Sequence, residues 1–129
     1  VVANVGDSRC YLVTEEGLKR ITHDHSLVAE MIRRGEISPL EGQRHPSRNL
    51  ITRALGVEPN VRCDTFVTPV KAGEFILLCS DGLSNLMDDQ EILFEVVHGY
   101  NKQYCCQRLH DIAKNRGGPD NITSVLISI

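Results

Sequence analysis

The chain has 129 residues, 41% of them hydrophobic and 24% charged, the size and balance of one globular domain or a large piece of one. Its formal net charge of -3 argues against the broad basic surface that nucleic acid or an anionic membrane would demand. Five cysteines, with Cys105 and Cys106 adjacent, argue against a disulfide framework and for a reducing, cytoplasmic setting, and no cysteine pair, apolar run or leader has the pattern of a zinc site, a membrane span or a signal peptide.

The chain opens on strand-like Val1-Val2-Ala3-Asn4-Val5, with no methionine and no polar lead-in, so a truncated or processed N-terminus is expected. Turn compositions at Gly6-Asp7-Ser8 and Glu15-Glu16-Gly17 flank Arg9 to Val13, and the stretch from Val1 to Ile21 predicts an antiparallel meander. Ser26 is placed to cap a helix in which Leu27 and Met31, and Val28 and Ile32, lie four apart on one face, with Gly35 ending it. A second short helix starts at Ser38-Pro39-Leu40-Glu41, a capping box with proline at the first helical position.

Leu50 to Leu55 and Arg62 to Thr68 read as short strands around a Gly56 to Asn60 turn. Phe75-Ile76-Leu77-Leu78-Cys79 is a continuous apolar run, which predicts a central strand buried on both faces. Asp88 with Glu91 caps a helix bearing the pairs Ile92/Val96 and Leu93/Val97, and Asn101 caps one bearing Cys105, Leu109, Ile112 and Ala113. The chain closes on an alternating strand, Ile122 to Ile129, with Val125, Ile127 and Ile129 on one face. These elements predict an α+β fold, antiparallel sheet with helices packed outside.

Three short acidic turns adjoin predicted strand ends: Gly6-Asp7-Ser8-Arg9, Ser80-Asp81-Gly82 and Gly118-Pro119-Asp120-Asn121. Any one of them alone is ordinary turn chemistry. Held together by tight backbone turns, their carboxylates have the hard oxygen donors that magnesium or manganese requires. Asp81 stands out because it follows the most apolar strand, where an unpaired carboxylate is costly and a cation or strong hydrogen bonds are needed nearby.

These turns lie inside five blocks: Val2-Ala3-Asn4-Val5-Gly6-Asp7-Ser8-Arg9, Thr22-His23-Asp24-His25-Ser26, Asn49-Leu50-Ile51-Thr52-Arg53-Ala54-Leu55-Gly56, Phe75 to Leu83, and Gly118-Pro119-Asp120-Asn121-Ile122-Thr123. In this order they resemble the protein phosphatase 2C (PPM) family of metal-dependent protein serine/threonine phosphatases, and Met31 to Arg48 is similar to the mobile flap of its bacterial branch. The resemblance implies an α-β-β-α sandwich of two antiparallel sheets flanked by helices, of which residues 1–129 form the C-terminal portion. It implies a site for two or three Mn2+ or Mg2+ ions, with Asp81 and Asp120 as ligands of the core pair and Asp7 holding a third ion with Asp81. The implied reaction is hydrolysis of phosphoserine or phosphothreonine in proteins by a metal-activated water, with phosphorylated proteins as substrates and a cognate serine/threonine kinase acting on the same proteins.

The family's bridging aspartate, phosphate-binding arginine and general-acid histidine match no residue here, so the isolated fragment is expected to be inactive, with exposed sheet edges and apolar faces. The alternative is a non-catalytic interaction domain or pseudophosphatase of the same fold. The cysteines have no role in this chemistry: Cys10, Cys63 and Cys79 read as strand residues, Cys105 and Cys106 as helical. His23 and His25 read as structural, in a block where Asp24 or Ser26 caps the following helix.

Overall fold

A computed structural model describes residues 1–99 and 101–129. Its strands are β1 (Val2–Asn4), β2 (Arg9–Thr14), β3 (Gly17–Arg20), β4 (Asp64–Phe66), β5 (Phe75–Cys79) and β6 (Ser124–Ser128), and its helices are α1 (Leu27–Arg33), α2 (Pro39–Gln43), α3 (Asp81–Ser84), α4 (Asp89–His98) and α5 (Cys105–Asn115). All strand pairs are antiparallel, in a four-stranded sheet of order β3-β2-β5-β6 and a two-stranded sheet β1-β4. With helices flanking the sheets, the fold is α+β, as the sequence predicts. Among the described residues no helix is long and apolar enough to cross a membrane.

The strand period of two sorts β2 between two cores. Tyr11 and Val13 join Leu77 and Cys79 of β5 against Leu83, Ile92, Val96, Leu109 and Ala113 of the helical layer. Cys10 and Leu12 point the other way, packing with Ile21 against Val2 and Phe66 of the two-stranded sheet. Helix α4 presents Ile92 and Val96 as predicted, and its capping box of Asp88 and Glu91 is formed in both directions. Ile92 is fully buried. Ile92→Val, which removes one methylene, is therefore expected to cost about 0.5–1.5 kcal/mol in urea unfolding; no change would mean that the helical layer is loosely packed.

Five expectations are corrected. The predicted meander is only the β2-β3 hairpin: β1 leaves for the second sheet, pairing Val2 with Phe66 and Asn4 with Asp64. The cause lies in the turn, where Gly6 adopts φ 111, a conformation natural only to glycine, and its N–H and C=O both bond to His25 rather than across a hairpin. Leu50 to Leu55 is not a strand, because its backbone serves the start of α1: Leu50 O accepts from Leu27 N at 3.0 Å, Thr52 N donates to His25 O at 2.8 Å, and Ile51 makes a single bridge to Ser26. Strand β5 is central but not buried on both faces. Its outward Leu78 is 38% exposed, and the facing Val125 and Ile127 of β6 are 48% and 43% exposed, because the two-stranded sheet packs on Cys10, Leu12 and Ile76 and stops there. Finally, Asn101 caps a 3-10 turn, Lys102–Tyr104, that precedes α5, and Cys63 is exposed one residue before β4 rather than in a strand.

The two short helices are as read from the sequence. Ser26 Oγ accepts from Ala29 N, and Ser38 and Glu41 form a capping box with Pro39 at the first position. Gly42 is buried at their crossing, where a Cβ would meet Val28 Cγ1 and Ile32 Cδ1 at 2.8 Å.

Candidate metal centre

The register of the four-stranded sheet gathers the three acidic turns. Cys79, the last residue of β5, pairs with Arg9 at the start of β2 and with Ser124 at the start of β6. Asp7 precedes β2, Asp81 follows β5 and Asp120 precedes β6, so all three turns lie at one end of adjacent strands.

The Asp81 and Asp120 turns are fastened to each other through Ser80. Its N–H donates to Thr123 O at 3.0 Å, its Oγ accepts from Thr123 N at 3.0 Å, and the same hydroxyl donates to Asn121 O at 3.3 Å. Asp81 is then the first residue of α3, half-buried, where backbone N–H groups and the helix dipole favour a carboxylate. Gly82 lets the Asn121 backbone approach: a Cβ there would lie 2.2 Å from Asn121 O. Asp120 itself is exposed, and its Oδ1 accepts from Asn121 N at 2.7 Å.

Asp7 is half-buried. Burial, then the charges of Asp81 and Asp24, push its carboxyl above the ordinary range. The Asp81 charge thus acts on the Asp7 carboxyl, a condition that a cation at this end of the sheet would relieve.

The turn carrying Asp7 is held on both sides by neighbouring residues of one block. Arg9 makes a two-pronged ion pair with Asp24, Nε to Oδ1 at 3.1 Å and Nη2 to Oδ2 at 2.8 Å. His25, buried, accepts from Gly6 N through Nδ1 at 3.0 Å, and its backbone N–H donates to Gly6 O at 2.9 Å. An accepting Nδ1 places the ring proton on Nε2, which donates to Asp64 Oδ2 at 2.8 Å. Arg53 Nη1 donates to the other Asp64 oxygen at 2.8 Å. Arg53, and then His25, hold the Asp64 carboxyl down at about 2, so it is ionised at neutral pH. Gly6 also lies beside this group: a Cβ there would come within 3.9 Å of the Arg53 carbonyl oxygen.

The structure thus brings Asp7 and Asp81 into electrostatic contact and leaves Asp120 at the same end with its carboxylate turned to its own backbone. Among the described residues no three His, Cys, Asp or Glu side chains converge on one ion position. Of the helix-cap alternatives, Ser26 is the cap and Asp24 is committed to Arg9. Local sequence signals did not mark the His25–Asp64, Arg53–Asp64 or Ser80–Asn121 hydrogen bonds, whose partners lie 39, 11 and 41 residues apart along the chain.

No family model matches the chain. It is similar to a serine/threonine phosphatase Stp of Listeria monocytogenes serotype 4b, 44% identical over 130 residues that make up 98% of this chain and 50% of the relative. It is 36% identical over 129 residues to protein phosphatase PhpP of Streptococcus pneumoniae, covering 100% of this chain and 52% of the relative. Among solved structures, the S. agalactiae serine/threonine phosphatase superposes with a TM-score of 0.90 at 33% identity, over 98% of this chain and 53% of that one. The catalytic domain of the phosphatase PstP in complex with two manganese ions superposes with a TM-score of 0.75 at 35% identity, over 96% and 50%. The chain spans about half the length of the curated relatives it matches.

Proposed function

Because the chain belongs to the protein phosphatase 2C (PPM) family of serine/threonine phosphatases and spans half the length of such a protein, we propose that it is the C-terminal portion of one catalytic domain, residues 1–129. The reaction is hydrolysis of phosphoserine and phosphothreonine in proteins. The observation that carries this reading is the gathering of the Asp7, Asp81 and Asp120 turns at one end of the four-stranded sheet. A neighbour carrying two manganese ions supports a divalent cation, Mn2+ or Mg2+, as the ligand.

The residues present fit such an ion as part of a ligand set. Carboxylates are the hard oxygen donors these cations take, and a repelling pair gains from one. In this reading the remaining ligands come from the other half of the domain. When bound, divalent cations lower the pKa of a coordinated water and neutralise phosphoryl charge. What this chain contributes is placement: Ser80 locks the Asp81 and Asp120 turns together, α3 presents Asp81 from its first position, and the Asp24-His25 pair holds the Asp7 turn. The half-open inner face at Leu78, Val125 and Ile127 is where further strands of the sandwich pack. No residue here takes the roles of phosphate-binding arginine or general acid. Cytoplasmic phosphoproteins are the substrates, set against a serine/threonine kinase acting on the same proteins.

The test is manganese binding by calorimetry on the full native polypeptide that carries this chain. Asp7→Asn, Asp81→Asn and Asp120→Asn are each expected to weaken binding by about tenfold or more. A unit charge at ~4 Å in an effective dielectric of ~20 is worth roughly 4 kcal/mol, more than the ~1.4 kcal/mol of a tenfold change. Unchanged affinity in all three variants would remove the metal site and with it the phosphatase reading.

A further inference from the structure

The Asp24-His25 pair does more than begin a helix. Each of its side chains grips one flank of the Asp7 turn: Asp24 takes Arg9, two residues after Asp7, and His25 takes Gly6, one residue before it. From this geometry we infer that His25 is a positioning residue for the Asp7 carboxylate, with Asp64 and Arg53 fixing the imidazole in the orientation and tautomer that this task needs. The inference rests on the metal reading above and deepens it.

Four observations carry it. Gly6 sits at φ 111, so the direction in which Asp7 leaves the turn depends on a conformation with few hydrogen bonds of its own to hold it. Both backbone polar groups of Gly6 bond to His25, the N–H to the ring and the C=O to the His25 N–H, while Asn4 Nδ2 donates more distantly to the same carbonyl at 3.3 Å. The imidazole is 5% exposed, so water has little access to replace it. Its second nitrogen is tied to a carboxylate that is itself anchored by Arg53, the arrangement that holds a buried imidazole in one tautomer.

The circuit also has a consequence for the segment that precedes Arg53. Thr52 N donates to His25 O, and Arg53 reaches Asp64 and the Arg62 carbonyl. Residues 51–53, which follow the two short helices α1 and α2, are thereby joined by hydrogen bonds to the residues that hold Gly6.

The experiment is a double-mutant cycle on the full native polypeptide, read by manganese calorimetry with urea unfolding alongside. His25→Ala is expected to weaken Mn2+ binding by about 10–100-fold, the usual effect of removing a residue that orients a metal ligand. His25→Asn, whose side-chain oxygen can stand where Nδ1 accepts from Gly6, is expected to recover most of that loss. In an Asp7→Asn background His25→Ala should add little, because a residue acting through Asp7 has nothing left to position. Should the alanine variant fail to fold, Asp64→Asn, which keeps the imidazole but weakens its anchor, is expected to weaken binding in the same direction. The inference is overturned if His25→Ala and Asp64→Asn leave affinity within about twofold of the parent while Asp7→Asn lowers it, or if the His25→Ala loss is the same in both backgrounds. Failure of the metal reading looks different: Asp7→Asn and Asp81→Asn would both leave affinity unchanged, which overturns this inference with it.

Discussion

Residues 1–129 in isolation are expected to show no measurable manganese-dependent hydrolysis of a phosphothreonine peptide or of p-nitrophenyl phosphate, while the full native polypeptide turns both over and loses at least about a hundredfold with Asp81→Asn. The reasoning starts from ligand count. The chain brings Asp7 and Asp81 together and leaves Asp120 nearby, and among the described residues no third side chain converges. Cation affinity follows ligand charge and rigidity, so this partial set is expected to hold an ion weakly. Nor do residues 1–129 provide an assigned proton donor, and general acid catalysis alone contributes roughly a hundredfold to ten-thousandfold. On the proposed metal reading, the loss of Asp81 is expected to be felt most, because its turn lies between the Asp7 turn and the Asp120 turn at this end of the sheet. Removing charge stabilisation worth several kcal/mol corresponds to about a hundredfold or more in rate. Steady-state hydrolysis with and without chelator, on both proteins, checks this. Robust turnover by residues 1–129 that survives Asp81→Asn would overturn both the fragment reading and the role of Asp81.

The sequence carried the local chemistry of this fold and not its long-range geometry. Capping boxes at Ser38 and Asp88 were legible because a cap and its partner are three residues apart. The acidic turns were legible because Asp beside Gly or Asn is a local signal. What it could not give was the destination of β1, since the pairing of Asn4 with Asp64 joins segments sixty residues apart through a turn whose hydrogen bonds go to a histidine side chain. Leu50 to Leu55 misled for the same reason: its apolar, β-branched composition satisfies strand propensity, but its backbone groups are claimed by α1, and tertiary partners override propensity. The apolar run of β5 implied burial on both faces. The exposure of Leu78 reflects a two-stranded sheet too narrow to cover a four-stranded one. His25 was legible as structural, which it is, but its connection to the Asp7 turn depends on which ring nitrogen faces Gly6, and only coordinates supply that.

Gly82→Ala is expected to be among the most damaging single substitutions in the chain, although alanine is the better helix former. Gly82 opens the second position of α3 with no left-handed backbone to require glycine, so intrinsic propensity alone would favour alanine by about 0.5–1 kcal/mol. Contact decides the sign. The added Cβ would fall 2.2 Å from Asn121 O, 3.0 Å from Asn121 C and 3.5 Å from Ile122 Cα, all backbone atoms, so no side chain can swing aside and the whole turn must retreat. That movement opens the Ser80 bonds to Asn121 O and Thr123 N and shifts Asp120 away from Asp81. Overpacking of a tight site costs about 1–3 kcal/mol and at times more, and against backbone the upper end of that range is expected. Two readouts should therefore move together in the full native polypeptide: a lower urea midpoint, and manganese affinity reduced at least as far as by Asp120→Asn. A Gly82→Ala variant with parental stability and parental manganese binding would show that the Asp120 turn is free to move without consequence, and would remove the Ser80 fastening from the account of how this end of the sheet is organised.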